Sequence, residues 1–443
     1  MLFAVLLAAV AASAPATPSA TPNPTPTPKL SLWSVHWQAT NTQQYHGAFP
    51  AAYSGVNSLS NSADTQKTFS STFYLGHALW KGAAGYLDDE VDQGFGFNTT
   101  LGLAGFSSGE AYKVGANRPY ERVHQVFITQ TFNEGGDTQT IATDQNVVPS
   151  ARKVNNIILT GGKYSVINIF DSNTYAHDPR NDFLNWAAVD MGAFDYAADA
   201  WGYTYGLTAT INRAQSSFSA GIFQLSKTPN TTIIEKTPLL QYSPVLEYDR
   251  NTSFFGGRPG KIRVLTYGDY GYMAPLADAT AYARATGTTP NPVLFRANRH
   301  WKIGEGVNIE QEVAPHLGAF MRASADNGSY EAFDFTEIDR SLEIGVSADG
   351  SPWKRPNDTL AAAYITNAIS TVRQQYLAAG GPGILIGDGG LSYAPENIFE
   401  TYYRFTIFKG LSLKGDYQRV VNPAYNTVRG PVSIYSLQVH YQI

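Results

Sequence analysis

Along FETYYRFTIFKGLSLKGDYQRV, residues 399 to 420, apolar and polar residues exchange at almost every step. Phe399, Tyr403, Phe405 and Ile407 fall on one side, with Glu400, Tyr402, Arg404 and Thr406 on the other. A period of two sends neighbouring side chains to opposite faces of a β-strand. The pattern recurs in sixteen segments, near 32–39, 67–81, 84–93, 122–133, 155–167, 201–213, 217–226, 238–250, 260–272, 298–313, 317–325, 330–347, 359–367, 396–408, 411–422 and 431–443. Their connections alternate in length. Tight turns at 81–83, 212–216, 314–318 and 408–410 separate long excursions at 40–66, 94–121, 168–200, 273–297 and 368–395. The links 134–154, 251–259 and 348–358 are long for the short-turn rim, and 325–329 is short for the other. Short turns on one rim and long loops on the other are the arrangement of a membrane barrel.

The faces sharpen this reading. In the sixth segment Trp201, Tyr203, Tyr205, Leu207 and Ile211 oppose Gly202, Thr204, Gly206, Thr208 and Asn212. Near residue 340, Ile338, Leu342, Ile344 and Val346 oppose Glu337, Asp339, Ser341 and Glu343. In the last segment Tyr435, Leu437, Val439, Tyr441 and Ile443 alternate with Ser436, Gln438, His440 and Gln442. Aromatics collect toward the segment ends, as girdles at a lipid boundary do. A soluble sandwich would pack aliphatic inner faces and has no need of evenly spaced carboxylates opposite them. The apolar side is therefore read as facing lipid and the polar side as lining water. A closure of this size is wide enough to hold an aqueous channel rather than a side-chain core.

Composition agrees. The chain has 443 residues with 27 Tyr, 23 Phe and 40 Gly but only 15% charged residues, the profile of many strands joined by turns. No stretch reaches the roughly 18 apolar residues of a membrane helix, so a membrane form has to be a closed barrel, which alone among sheets satisfies every backbone group in lipid. A net charge of −5 without a basic cluster argues against nucleic acid as a partner. Zero Cys excludes disulfides and thiolate metal sites. Residues 1–14, MLFAVLLAAVAASA, suit a signal peptide with a small-residue cleavage site, although no basic residue precedes the apolar run. Residues 15–31 read as a Pro/Thr-rich disordered periplasmic segment, leaving 32–443 for the barrel.

Several blocks together resemble the carbohydrate-selective porins of the OprB family: YHGAFPAAYSGVNSL (45–59), DQGFGFNTTLGLAGFSSGEAYKVGAN (92–117), FDSNTYAHDPRNDFLNWA (170–187), FDYAADAWGYTYG (194–206), FDFTEIDRSLEIGVS (333–347), PENIFETYY and DYQRVVNPAYNTVRGPVSIYSLQVHYQI. The resemblance covers about 33–443. It implies an all-β, sixteen-stranded antiparallel barrel in the outer membrane of a Gram-negative cell, passing sugars and small solutes down their gradients. The expected partners are carbohydrate solutes, outer-membrane lipid and the barrel-assembly machinery, with the oligomer, monomer or trimer, left open. Family members tend to end in an aromatic residue that this machinery reads, whereas this chain ends in Ile443 after Tyr441.

In sixteen-stranded porins the third long loop folds inward, which here is 168–200. It holds Asp171, Tyr175, Asp178, Arg180, Asp182, Asn185 and Trp186. Carboxylates, amides and guanidinium match hydroxyl pairs of a sugar, and aromatic rings match its C–H faces. Arg180 and Trp186 are the foremost candidates to face solute. Asp178, Arg180 and Asp182 can also pair with one another to hold the loop. Glu110 and Arg118 in the second long loop, with Glu400 and Arg404 on a strand, form a second tier. Binding has to stay weak for flux to continue. Nothing points to a catalytic residue, metal or cofactor: the eight His lack ligand spacing, His124 and His440 sit at ordinary strand positions, and GGPGILIGDGG (380–390) lacks the context of a nucleotide loop. Residues 278–287 and 367–379 read as short helices in extracellular loops.

Overall fold

In the computed structural model, which describes residues 30–443, sixteen antiparallel strands follow one another around a closed barrel, and the first hydrogen-bonds to the last. The expected signal peptide and nearly all of the Pro/Thr segment lie outside the described residues. The strands are β1 Trp33–His46, β2 Asp64–Trp80, β3 Ala83–Gly94, β4 Ala116–Ile141, β5 Ser150–Tyr164, β6 Thr204–Arg213, β7 Ser216–Gln224 and β8 Tyr242–Thr252. They continue as β9 Gly260–Tyr272, β10 Arg299–Ala314, β11 Leu317–Asp326, β12 Arg340–Gly350, β13 Arg355–Ala368, β14 Glu396–Phe408, β15 Leu411–Val421 and β16 Val432–Gln442. Every segment expected from the alternation is a strand. The tight turns after β2 and β14 place Gly82 and Gly410 at φ 79° and 91°, backbone that only glycine adopts freely. Two loop helices, Leu276–Thr286 and Thr371–Ala378, fall where the sequence suggests them.

The outer face is apolar. Leu207 is 66% exposed, Ile344 52% and Leu437 51%, whereas their neighbours Thr208, Glu343 and Gln438 are buried. Aromatic rings band the long-loop end, where Tyr270 stacks on Trp301 at 4.9 Å and Tyr242 meets both edge-on at 5.7–5.8 Å. A second band at the short-turn end includes Trp353 with Tyr403 and Phe408 with Tyr441.

Three boundaries and one change of register depart from the sequence reading for identifiable physical reasons. β12 begins at Arg340 rather than near 330, because backbone N–H groups of 333–336 are drawn onto the Asp195 carboxylate and cannot enter a ladder. Ile338 is accordingly a fully buried loop residue, not part of the lipid face. This lengthens the apparently short link at 325–329 into a loop of residues 327–339. β6 begins at Thr204, so Trp201 and Tyr203 belong to the loop before it. Tyr203 packs on His124, with centroids 4.5 Å apart, and Arg122 lies 3.5 Å over the Trp201 ring. β1 runs on to His46 through NTQQYH, whose outward side is polar and hides the alternation. In β4 a bulge pairs Asp88 with Gln125 but Asp89 with Val123, turning both His124 and Gln125 inward and reversing the period beyond them.

The barrel interior is not simply water. The loop between β5 and β6, residues 165–203, enters it, and every residue from 183 to 200 is buried. Phe170, Phe183, Trp186, Met191 and Phe194 pack there with Phe223, Tyr267, Phe320 and Tyr402 of the wall. A wide barrel thus carries a side-chain core as well as a cavity.

Candidate functional site

The third long loop crosses the lumen because the facing wall offers charged groups for its backbone. Arg322 on β11 pairs with Asp171 at 3.1 Å and donates to the carbonyls of Asp171, Ala176, Ala188 and Val189. Glu310 on β10 accepts the Thr174 N–H at 2.6 Å. Glu400 on β14 accepts the N–H groups of Leu184 and Asn185. Lys414 on β15 donates to the carbonyls of Pro179 and Asp182, and Gln438 on β16 to that of Pro179. Lys302 on β10 meets Asp195 at 2.9 Å in a pair fully sealed from solvent. A buried charge is tolerated when its partners are complete, and here the loop supplies them.

The opposite wall, β2 to β5, touches the third loop at fewer points, through Arg180 to Glu90 and Asn168 to Gln125. Between it and the loop edge lies a cavity of about 660 Å³, lined by Tyr74, Glu90, His124 and Gln125 on the wall and by His177, Asp178 and Arg180 on the loop. Arg180 dominates this space. Its guanidinium reaches Glu110 at 2.8 Å, Glu90 at 3.1 Å and Ser70 at 3.4 Å, with 14% of the side chain exposed. Tyr112 donates to Glu90 as well. Glu90, Asp92 and His124 converge, their ligand atoms all within 4.8 Å of one another. His124 Nε2 lies 3.0 Å from Asp92, and the guanidinium of Arg180 supplies the positive charge beside Glu90.

The loop tip is set by local chemistry. Asp178 accepts from the Arg180 and Asn181 groups, and the Asp182 carboxylate accepts the N–H groups of His177 and Asp178. Burial would raise Asp178, but the adjacent Arg180 charge and N–H outweigh it and hold the carboxyl below its ordinary value. Asp182 is pushed up to about 6 by burial and by the Asp178 charge. Burial and Asp171 push Asp190, at the cavity wall, well above the usual carboxylate range. A protonated Asp190 can both donate and accept a hydrogen bond.

The sequence candidates separate accordingly. Arg180, Asp178 and Glu110 come together at the cavity. Trp186, expected to face solute, is 5% exposed and stacks on Phe106 at 5.2 Å; it borders the cavity, with its Nε1 buried and unpartnered. Asp171, Asn185 and Glu400 are sealed at the loop anchors, because each satisfies backbone groups that would otherwise be orphaned. Asp182 and Arg404 also serve the loop, Arg404 by donating to Asn181. Tyr175 lies against Gly318 on the covered side. Arg118 sits exposed at the long-loop end of β4 and makes no ion pair among the described residues. Gln438, expected to meet open water, is buried beneath Pro179. The wall residues Asp88, Glu90 and Asp92 are not among the sequence candidates, although DDEVD in 88–92 sets three acids on one face of a strand.

A closed barrel with lipid-facing aromatics, a polar lumen and an inward loop defines an outer-membrane channel. The carbohydrate-selective porin, OprB family, model matches residues 56–443, and the chain belongs to that family. It is an outer-membrane porin for carbohydrate diffusion in a Gram-negative cell. Among solved structures it is similar to the high-pH structure of Pseudomonas putida OprB, with TM-score 0.69 and 14% identity over 93% of this chain and 94% of that one. Similarity to the low-pH structure of that protein has TM-score 0.48 at 12% identity, covering 93% of each chain. A BenF-like porin from Pseudomonas fluorescens Pf-5 follows at TM-score 0.47 and 10% identity, over 94% of this chain and 99% of that one. No curated protein sequence matches significantly.

Proposed function

We propose that mono- and small oligosaccharides pass between the His177–Arg180 edge of the third loop and the β2–β5 wall, and that Arg180 is the group each one must meet. The observation that carries this is Arg180 itself: a guanidinium fixed by Glu90 and Glu110 yet still partly exposed to the cavity. Ion pairing on two sides fixes its remaining donors in space, so a sugar hydroxyl exchanges water for a preset fork at little entropic cost. Glu90, Asp178 and Tyr112 supply acceptors beside it, and the edge of Trp186 supplies an apolar contact. Only passive diffusion is assigned to the chain, with no catalytic step. Its remaining partners on this reading are the surrounding outer-membrane lipid and the machinery that inserts the barrel, as a monomer or a trimer.

Liposome swelling with a panel of mono- and disaccharides tests this. Arg180→Ala is expected to blunt the distinction between sugars of equal size while raising overall flux, and Trp186→Ala to act more weakly. Swelling that follows solute size alone, unchanged by Arg180→Ala, would instead mark a general diffusion porin.

A further inference from the structure

The short-turn rim contains one element that is not short. β4 and β5 run beyond the barrel as a hairpin whose strands still pair from Thr138 with Lys153 to Ile141 with Ser150. At its root, five residue steps on β4, Asn133 to Thr138, face three on β5, Asn156 to Lys153. Two surplus residues on one strand bend a hairpin sharply. The bent arm carries residues 142–149 back under the barrel and into its mouth. Thr143 Oγ1 donates to Ser34 on β1 at 2.9 Å, and the Ser34 hydroxyl donates to the Asp144 carbonyl at 3.0 Å. Gln145 donates to Gln38 on β1 at 3.0 Å, Asn146 to Asp88 on β3 at 2.7 Å, and the Val148 N–H to the Tyr86 hydroxyl at 3.4 Å. Ser34, Gln38, Tyr86 and Asp88 are buried residues of the inner wall, so a tip rooted on β4 and β5 reaches past β3 and β2 to β1.

The tip is also part of the cavity. Gln145, Asn146 and Val147 line the same space as Arg180. Asp88 Oδ1 and Asn146 Oδ1 are both sealed from bulk solvent without a hydrogen-bond partner, and Asp88 is only 1% exposed. The side chains of Gln145 and Asn146 are themselves half-exposed in that space, so their amides are within reach of a hydroxyl-rich solute.

We propose that the tip of the β4–β5 hairpin is a second selectivity station in series with Arg180, an amide-lined floor at the periplasmic mouth that binds polyol hydroxyls and narrows the exit. The inference rests on reading this cavity as the conduction path. It assigns Gln145 and Asn146 a specificity role at the rim opposite the third loop. Resistances in series add, so each station should limit flux separately.

Single-channel conductance in KCl, with swelling rates for mono-, di- and trisaccharides, provides the test. In one variant, Gly136 and Lys153 are joined by an Asn-Gly turn, and heat-modifiable migration checks the fold. This is expected to raise conductance roughly two-fold and to speed trisaccharides more than monosaccharides. The drops in resistance from it and from Arg180→Ala should add in the double variant. The second variant does not depend on refolding: the chain contains no Cys, so Gln145→Cys introduces one thiol that a bulky reagent can modify in an inserted channel. Its current should fall on modification. Unchanged conductance in both variants, while Arg180→Ala still shifts it, would overturn the proposal and leave the hairpin a strut outside the path. The reverse result, hairpin variants active and Arg180→Ala silent, would sustain the hairpin and remove Arg180 from the proposed function.

Discussion

The inner walls of β9–β16 and β2–β5 carry similar residues to different ends. On the first, Lys302, Arg322, Glu400, Lys414 and Gln438 are all bonded to the third loop and buried. On the second, Asp88, Glu90, His124 and Gln125 are as deeply buried but are bonded to one another, to Arg180 and Asn168 at the edges of the loop and to Asn146 of the β4–β5 link, and they border the cavity. Both rows obey the same alternation, because both face away from lipid. Whether an inward charge is an anchor or a solute contact depends on what covers it, and that is decided by a loop far away in sequence.

The largest effect should come from breaking an anchor. Asp195 meets Lys302 and the backbone N–H groups of Phe333 to Thr336 in a fully buried cluster. Asp195→Ala leaves Lys302 with Asp326 alone, 3.1 Å away, and orphans four backbone N–H groups; removal of one partner from such a buried cluster costs about 3–5 kcal/mol. Loss of the heat-modifiable folded band is the expected readout. Glu90→Gln, on the cavity wall, should leave that band intact, since Arg180 retains Glu110, and instead shift the reversal potential toward anions. Equal damage to folding by both would end the distinction between the walls. Next in size is the outer face: Leu437→Arg should cost about 2–4 kcal/mol if near the bilayer midplane. Thr129→Arg, on the cavity wall, should fold normally and lower conductance.

The fold was legible because lipid and lumen impose opposite chemistry on successive residues. Leu342, Ile344 and Val346 could be assigned outward and Glu343 inward without any structure. Legibility failed where that contrast is absent or the backbone is diverted. NTQQYH extends β1 above the apolar band, and FDFTEID alternates although its amides are committed to Asp195. The site was less legible. Arg180 was identified as part of an inward loop, but Trp186 and Glu400 were assigned to water when tertiary packing seals both. The acids of β3 needed only their spacing to be noticed. The pairing of Glu90 with Arg180 is invisible in sequence, because 90 residues separate them.

The smallest expected effect concerns how tightly the loop tip is held. Asp182 is pushed from 3.8 up to about 6 by burial and by Asp178, so between those values the folded chain retains a proton that the unfolded chain has lost. Stability from this group is therefore greatest at low pH and declines as pH rises toward and through about 6. The change should be on the order of 1 kcal/mol, since the side chain is only partly removed from water. Asp178 does not produce this decline, because its shift is downward, so its stabilisation is present above its ordinary value and is lost only as pH falls. Asp190 and Glu110 are also raised and bias the protein in the same direction, so the comparison has to be differential. Apparent melting of the folded band at pH 4.5 and 7 should show a steeper decline for the wild type than for Asp182→Asn, which keeps an uncharged side chain at both. Identical slopes would mean that the tip is held by Lys414 and Arg404 alone, and that its carboxylate plays no part in tuning the edge that solute meets.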